Sequence, residues 1–233
     1  MAWIESFSPA ARVLAACASA FALTYVATPL VRISAVRLGL VSRPTHDRWG
    51  RRAIARLGGA ALFFGVVASA LAWAGGKELW GVLAAASLVF LLGLWDDLRR
   101  MRPYTKLIGQ ILVGCFAVLA GIRFDLPDFA WAAIPLSVLW LVFIMNAFNL
   151  LDNMDGLAAG VGGIAGFFCT MQSALVGQWS MAVVSAALTG ACLAFLRYNF
   201  SPARIFMGDS GSHLLGFCLG ASALVGTQRQ AYN

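Results

Sequence analysis

The sequence has 233 residues, of which 61% are hydrophobic and only 12% charged, with a formal net charge of +7. A soluble globular domain carries about 45–50% apolar and about 25% charged residues, so this chain has too little polar surface to coat a body in water. Those figures exclude most soluble classes and point to a protein built inside a membrane.

In chain order, apolar stretches approaching the ~20 residues that a helix needs to cross a bilayer lie near 10–31, 57–74, 79–95, 107–121, 130–148, 157–174, 180–196 and 213–227. They are apolar all round and rich in Leu, Ala and Gly, whereas membrane-barrel strands would alternate polar and apolar over about 10 residues. The expected fold is an all-α integral membrane protein, a polytopic bundle of about eight transmembrane helices, with residues 1–233 as a single domain. The opening Met1-Ala-Trp-Ile-Glu-Ser-Phe7 lacks a basic stretch and carries Glu5, so the first apolar run is expected to stay as a span rather than leave as a signal peptide. Cys17, Cys115, Cys169, Cys192 and Cys218 stand singly in apolar segments and read as small buried hydrophobes. The 24 glycines suit close helix packing, within one chain or in a homodimer.

The connections alternate in character. Polar ones lie near 32–56, 96–106, 149–156 and 197–212, and short ones with few charges near 75–78, 121–129 and 175–179. All of the 17 Lys and Arg residues except Arg12, Lys77, Arg123 and Arg229 fall in the first set. Short loops rich in Lys and Arg stay on the cytoplasmic side, so the polar set is expected there, with both termini on the periplasmic or extracellular side. The positive charge is thereby a topology signal, and no nucleic-acid partner is expected.

Ten acidic residues remain to be placed. Asp96, Asp97, Asp152, Asp155 and Asp209 all fall in the polar connections beside span ends, where carboxylates next to hydrocarbon are costly and functional by default. The pair in Leu94-Trp-Asp-Asp-Leu98 reads either as a solvated helix end near Arg99 and Arg100 or as a pair with separate tasks, because adjacent helical residues point in different directions. Asn146, Asn149, Asp152 and Asp155 recur every third residue, which on a helix of 3.6 residues per turn forms one slowly winding polar stripe. Asp209, in Phe206-Met-Gly-Asp-Ser-Gly-Ser212, either caps the last span or offers Mg²⁺ a hard oxygen; Mg²⁺ takes one or two carboxylates and completes its shell with water and phosphate. The basic stretch 42–59 serves anchoring, while Arg56 and His46 are candidates for holding phosphate. Carboxylates, Mg²⁺ and cations on one face are what phosphoryl transfer requires.

These blocks together resemble the polyprenyl-phosphate N-acetylhexosamine-1-phosphate transferases, glycosyltransferase family 4 of the N-acetylglucosamine-1-phosphate transferase type. The resemblance rests on Gly39-Leu-Val41, Arg56-Leu-Gly-Gly59, Gly93-Leu-Trp-Asp-Asp97, Lys106 with Gln110, Asn146-Ala-Phe-Asn149, Asp152-Asn-Met-Asp-Gly156, Tyr198-Asn199 and Phe206 to Ser212 with Gly216. It implies transfer of a sugar 1-phosphate from a UDP-sugar to undecaprenyl or another polyprenyl phosphate, with UMP released. It further implies Mg²⁺, or Mn²⁺ in its place, at the cytoplasmic face of a bacterial inner membrane. The pathway implied is the start of a cell-wall or lipopolysaccharide O-antigen glycan.

By the same resemblance Asp209 would ligate Mg²⁺ and Asp96 would assist the lipid phosphate, with Asp97 beside it. Asn149, Asp152 and Asp155 would line the nucleotide-sugar pocket, Asn199 and Phe206 would contact uracil, and Lys106 would meet phosphate. Family members continue into a loop with a His-rich motif, and this sequence ends at Gly226–Asn233 before it, so a C-terminal truncation is expected. Two other readings stand beside the transferase: a cation-coupled carrier, and a shortened relative that binds nucleotide or lipid without catalysis.

Overall fold

A computed structural model describes residues 6–42, 54–76 and 78–227. The described chain forms eight helices: α1 (Pro9–Arg37), α2 (Gly58–Trp73), α3 (Glu78–Arg99), α4 (Pro103–Leu119), α5 (Ala130–Leu151), α6 (Leu157–Leu175), α7 (Trp179–Asn199) and α8 (Gly208–Thr227). Local chemistry sets several of their ends. Ser8 accepts the Ala11 N–H at 3.2 Å ahead of Pro9, and Pro103, which has no N–H to leave unpaired, opens α4.

Five segments are long and apolar enough to cross a membrane, and α2 and α4 are shorter apolar helices. The molecule is a multi-pass membrane protein. Its centre is α7, where 78% of the apolar window is buried inside the bundle against 22% for α1. α7 packs on α1, α2 and α6, while α8 packs on α2, α3, α5 and α6. Large side chains such as Leu14, Leu119, Trp131 and Leu175 point outward, as befits helices whose outer surroundings are hydrocarbon. Cys192 and Cys218 are buried, but Cys115 is exposed, so the expectation of burial holds for only part of the set.

The helices overrun the apolar stretches. α3 continues through Asp96 and Asp97 to Arg99, and α8 starts at Gly208, so Asp96, Asp97 and Asp209, expected in connections, lie in terminal helical turns. The polar stripe expected over residues 146–155 breaks at Leu151, where α5 stops, and Gly156 at φ +74° turns the chain into α6.

An unexpected element lies in the basic connection. Strands β1 (Val41–Ser42) and β2 (Ile54–Ala55) pair antiparallel, with Val41 opposite Ala55. The segment before α8 docks on them: Ala55 bridges Ile205, and Phe206 N–H donates to Ala55 O at 2.9 Å. The N–H groups of Gly58 and Gly59 then donate to the carbonyls of Phe206 (2.9 Å) and Met207 (2.8 Å). Amides at the start of a helix have no partner within it, so the start of α2 is satisfied by the chain leading into α8.

Close approach fixes the other side of α8. A Cβ on Gly93 would lie 2.6 Å from Asp209 O and from Ser210 Cα, so only glycine lets α3 press against the first turn of α8. Gly93→Ala is expected to lower stability by about 1–3 kcal/mol, the cost of overpacking a fitted contact. The readout is the midpoint of thermal unfolding in detergent; an unchanged midpoint would mean that the contact is loose.

Candidate active site

Three separate parts of the chain converge on the first turn of α8. The Asp97 carboxylate of α3 accepts the N–H of Asp209 at 2.9 Å on one oxygen, and the N–H (3.0 Å) and hydroxyl (2.7 Å) of Ser210 on the other. A carboxylate at a helix N-terminus satisfies amides that lack intrahelical partners and meets the positive end of the helix dipole. Gly208, at φ +77°, precedes that turn, and a Cβ there would lie 2.8 Å from the Asp97 oxygens. Asp97 therefore spends its lone pairs on positioning its neighbour in space, Asp209.

Asp209 faces a charged cluster. Its Oδ2 takes the Lys106 ammonium of α4 at 2.8 Å and its Oδ1 the Asn149 amide of α5 at 2.6 Å. The same ammonium lies 3.0 Å from Asp96 Oδ2 and 3.4 Å from Asn149 Oδ1. Asp96 Oδ1 is held at 2.6 Å by the Met101 N–H just beyond α3. Asn149 also donates to Ser212 at 3.1 Å, and His213 Nδ1 meets the Asp209 carbonyl. Below the cluster, Gln110 and Asn146 pair reciprocally through their amides (2.8 and 3.4 Å). They stand one turn along α4 from Lys106 and one along α5 from Asn149. Inside an apolar bundle such amides persist only when paired, so the pair sets the register of the two helices beneath the cluster. The sequence blocks contained both residues without assigning them a role; their i+4 and i−3 spacing from Lys106 and Asn149 was the available signal.

The remaining candidates separate into two groups. Asp152, just past the end of α5, is half-buried and lies near Asp209, Asp97 and Asp155; loss of solvent first, then those charges, push its carboxyl up to about 7 despite a Gly208 N–H that favours the ionised form. Asp155 is exposed, and accepts the Ala203 N–H at 3.0 Å, tying the α5–α6 turn to the α7–α8 connection. Asn199 is 2% exposed, its Oδ1 taking the Gly156 N–H (3.1 Å) and its Nδ2 donating to Ile205 O (3.0 Å). Its amide acts as a staple between the same two connections. Phe206 is half-buried beside β2. Arg56 follows β2 and lines a cleft together with Asp97. His46 lies outside the described residues.

A family model described as "Glycosyl transferase family 4" matches residues 79–227. The chain is 34% identical over 212 residues to the "Probable undecaprenyl-phosphate N-acetylglucosaminyl 1-phosphate transferase" of Bacillus subtilis (strain 168), covering 86% of this chain and 59% of the relative. It is 33% identical to the decaprenyl-phosphate N-acetylglucosaminephosphotransferase of Mycolicibacterium smegmatis, covering 86% and 57%. With the phospho-N-acetylmuramoyl-pentapeptide-transferase of Chlorobium phaeobacteroides it shares 32% identity, covering 78% and 61%. The chain thus spans less than two thirds of the length of these relatives. The matched segment contains every side chain of the Lys106 cluster.

Two outcomes follow from this geometry. Asp97→Ala strips three donors of their acceptor and is expected to destabilise the protein by about 1–3 kcal/mol, read as a lower thermal midpoint; no change would mean that α8 does not depend on this cap. The Asp152 carboxyl, raised to about 7, holds its proton in the folded state over pH values where the unfolded chain has lost it. Stability therefore falls as pH rises from about 4 to about 7. In chelator, Asp152→Asn should flatten that part of the melting-temperature profile, and an unaltered slope would contradict the assignment.

Proposed function

The chain belongs to glycosyl transferase family 4, and we propose that its reaction is the transfer of N-acetylhexosamine 1-phosphate from a UDP-sugar to a polyprenyl phosphate, releasing UMP. N-acetylglucosamine is the favoured sugar, because the B. subtilis and M. smegmatis relatives carry it in their names. The observation that carries the reading is the sharing of the Lys106 ammonium by Asp96 and Asp209 against Asn149. The product starts a cell-envelope glycan. The Lys and Arg of the sequence's polar connections support a cytoplasmic orientation of the cluster in a bacterial inner membrane.

Both substrates are phosphate anions, which a bare carboxylate pair would repel. Lys106 offsets part of that charge. The oxygens also fit Mg²⁺: Asp209 would hold it beside Asp96, with the Asn149 amide oxygen adjacent. Mg²⁺ needs only one or two carboxylates and completes its shell with water and phosphate oxygens. Mn²⁺ would serve by the same oxygen preference. When bound, the ion neutralises charge on the transferring phosphoryl group.

The chain's own residues then have distinct tasks. Asp96, fixed by the Met101 N–H, orients the lipid phosphate and takes its remaining proton. A lipid phosphate oxygen bonds to the β-phosphorus of the UDP-sugar, and the bond from that phosphorus to the bridging oxygen breaks, UMP leaving with the electron pair. Asp152 and Asp155 border the nucleotide side. A carrier would place ionisable groups near the bilayer midplane, whereas the groups deeper along α4 and α5 are the uncharged Gln110 and Asn146.

With Mg²⁺, UDP-N-acetylglucosamine and polyprenyl phosphate, the protein is expected to release UMP. Asp209→Asn and Asp96→Asn should each slow release about 10²–10³-fold, the loss typical of removing one preorganised electrostatic partner, with thermal midpoints retained. Release that survives both changes would refute the site, and nucleotide binding without release would favour the binding-only reading.

A further inference from the structure

Beside Asp97, a cleft of about 260 Å³ opens between the end of α1, β1–β2 and the end of α3, and Lys106 is not among the residues that line it. Its walls combine Leu40, Leu57 and Leu98 with Arg56, Arg99 and Arg100. The Asp97 carboxylate, also in the wall, is occupied by three donors from α8 and does not pair with these arginines. Among the described residues neither Arg56 nor Arg100 has an ionic partner, and Arg99 lies over the Trp95 ring at 6.0 Å. Trp95 is 60% exposed near the end of a span, the level at which Trp and Arg meet lipid headgroups.

Backbone strain singles out the same place. Among the described residues the non-glycine positions with positive φ are Leu57 (+91°) and Arg100 (+52°), and both line this cleft. Arg100 stands just past α3, where glycine is the usual residue because it is free of the left-handed penalty. Strained residues held in place by their surroundings gather at binding sites. An arginine kept where glycine would be more comfortable brings a third guanidinium to the cleft.

We propose that this cleft binds the anionic phosphate headgroup of a membrane lipid, gripped by Arg56, Arg99 and Arg100 while the acyl chains leave past Trp95. Guanidinium groups match phosphate oxygens in geometry as well as charge. The volume lies just below the ~300–1,000 Å³ of typical small-molecule pockets, the size of a headgroup rather than a nucleotide sugar. The site does not depend on the transferase reading, since it lies outside the Lys106 cluster and its test needs no UDP-sugar.

The experiment is fluorescence anisotropy of a short-chain phosphatidic acid, labelled on its acyl chain, with the whole protein in detergent. R56Q/R99Q is expected to weaken binding about tenfold, roughly what a loss of 1.4 kcal/mol produces. Arg100→Gly relieves the left-handed strain, so it should keep or raise the thermal midpoint while weakening binding at least about threefold. Unchanged affinity in both variants would overturn the proposal, and Arg100→Gly guards against misfolding of the double variant. Unlabelled phosphatidic acid should displace the probe, whereas inorganic phosphate at tenfold higher concentration should not. Displacement by inorganic phosphate at concentrations similar to the lipid would overturn the lipid assignment.

Discussion

The cap that Asp97 places on the first turn of α8 is the contact on which the rest of the site depends. A helix whose terminal amides are satisfied from a different helix cannot slide or rotate without exposing them, and in hydrocarbon that exposure is costly. Gly93 allows the two backbones to meet, and the carbonyls of Phe206 and Met207 tie the preceding residues to the start of α2. Held from two sides, Asp209 has one place to be, and that place is within reach of Lys106 and Asn149.

Electrostatics then follows from arithmetic of sign. Asp96 and Asp209 share the Lys106 ammonium, while Asp97 and Asp152 lie near Asp209 without an ion pair of their own among the described residues. The cap on Asp97 disperses one charge into the α8 dipole. What is left over is negative, and it adds to burial, the larger cause, in pushing the Asp152 carboxyl up to about 7. In the proposed reaction a divalent ion would offset that charge, and in the proposed lipid site the three arginines would supply the positive charge themselves.

The number and order of the helices were legible in the sequence, because eight apolar runs separated by polar connections have few other physical solutions. Their ends were not: Asp96, Asp97 and Asp209 interrupt an apolar run, yet a helix continues through polar residues once it reaches the interface. The strand pair Val41–Ser42 with Ile54–Ala55 is too short to leave a periodic trace. The gathering of the five aspartates was foreseeable from loop alternation, whereas the division of labour within the Asp96–Asp97 pair required coordinates, since which of two adjacent carboxylates meets α8 depends on helix rotation. Asn199 illustrates the limit most plainly: its bonds to the Gly156 N–H and the Ile205 carbonyl join two connections that are distant in sequence, and nothing in the sequence marks that pairing. The cleft beside Asp97 was invisible because it arises from left-handed backbone at Leu57 and Arg100.

With its oxygens held by the α8 donors, Asp97 acts through the placement of Asp209 and not by touching substrate. The most direct test is a double-mutant cycle on UMP release with Asp97→Ala, Asp209→Asn and the combined variant. If Asp97 works only through Asp209, the combined variant is no slower than Asp209→Asn alone. Losses that multiply, each substitution exerting its full effect in the presence of the other, would contradict the account.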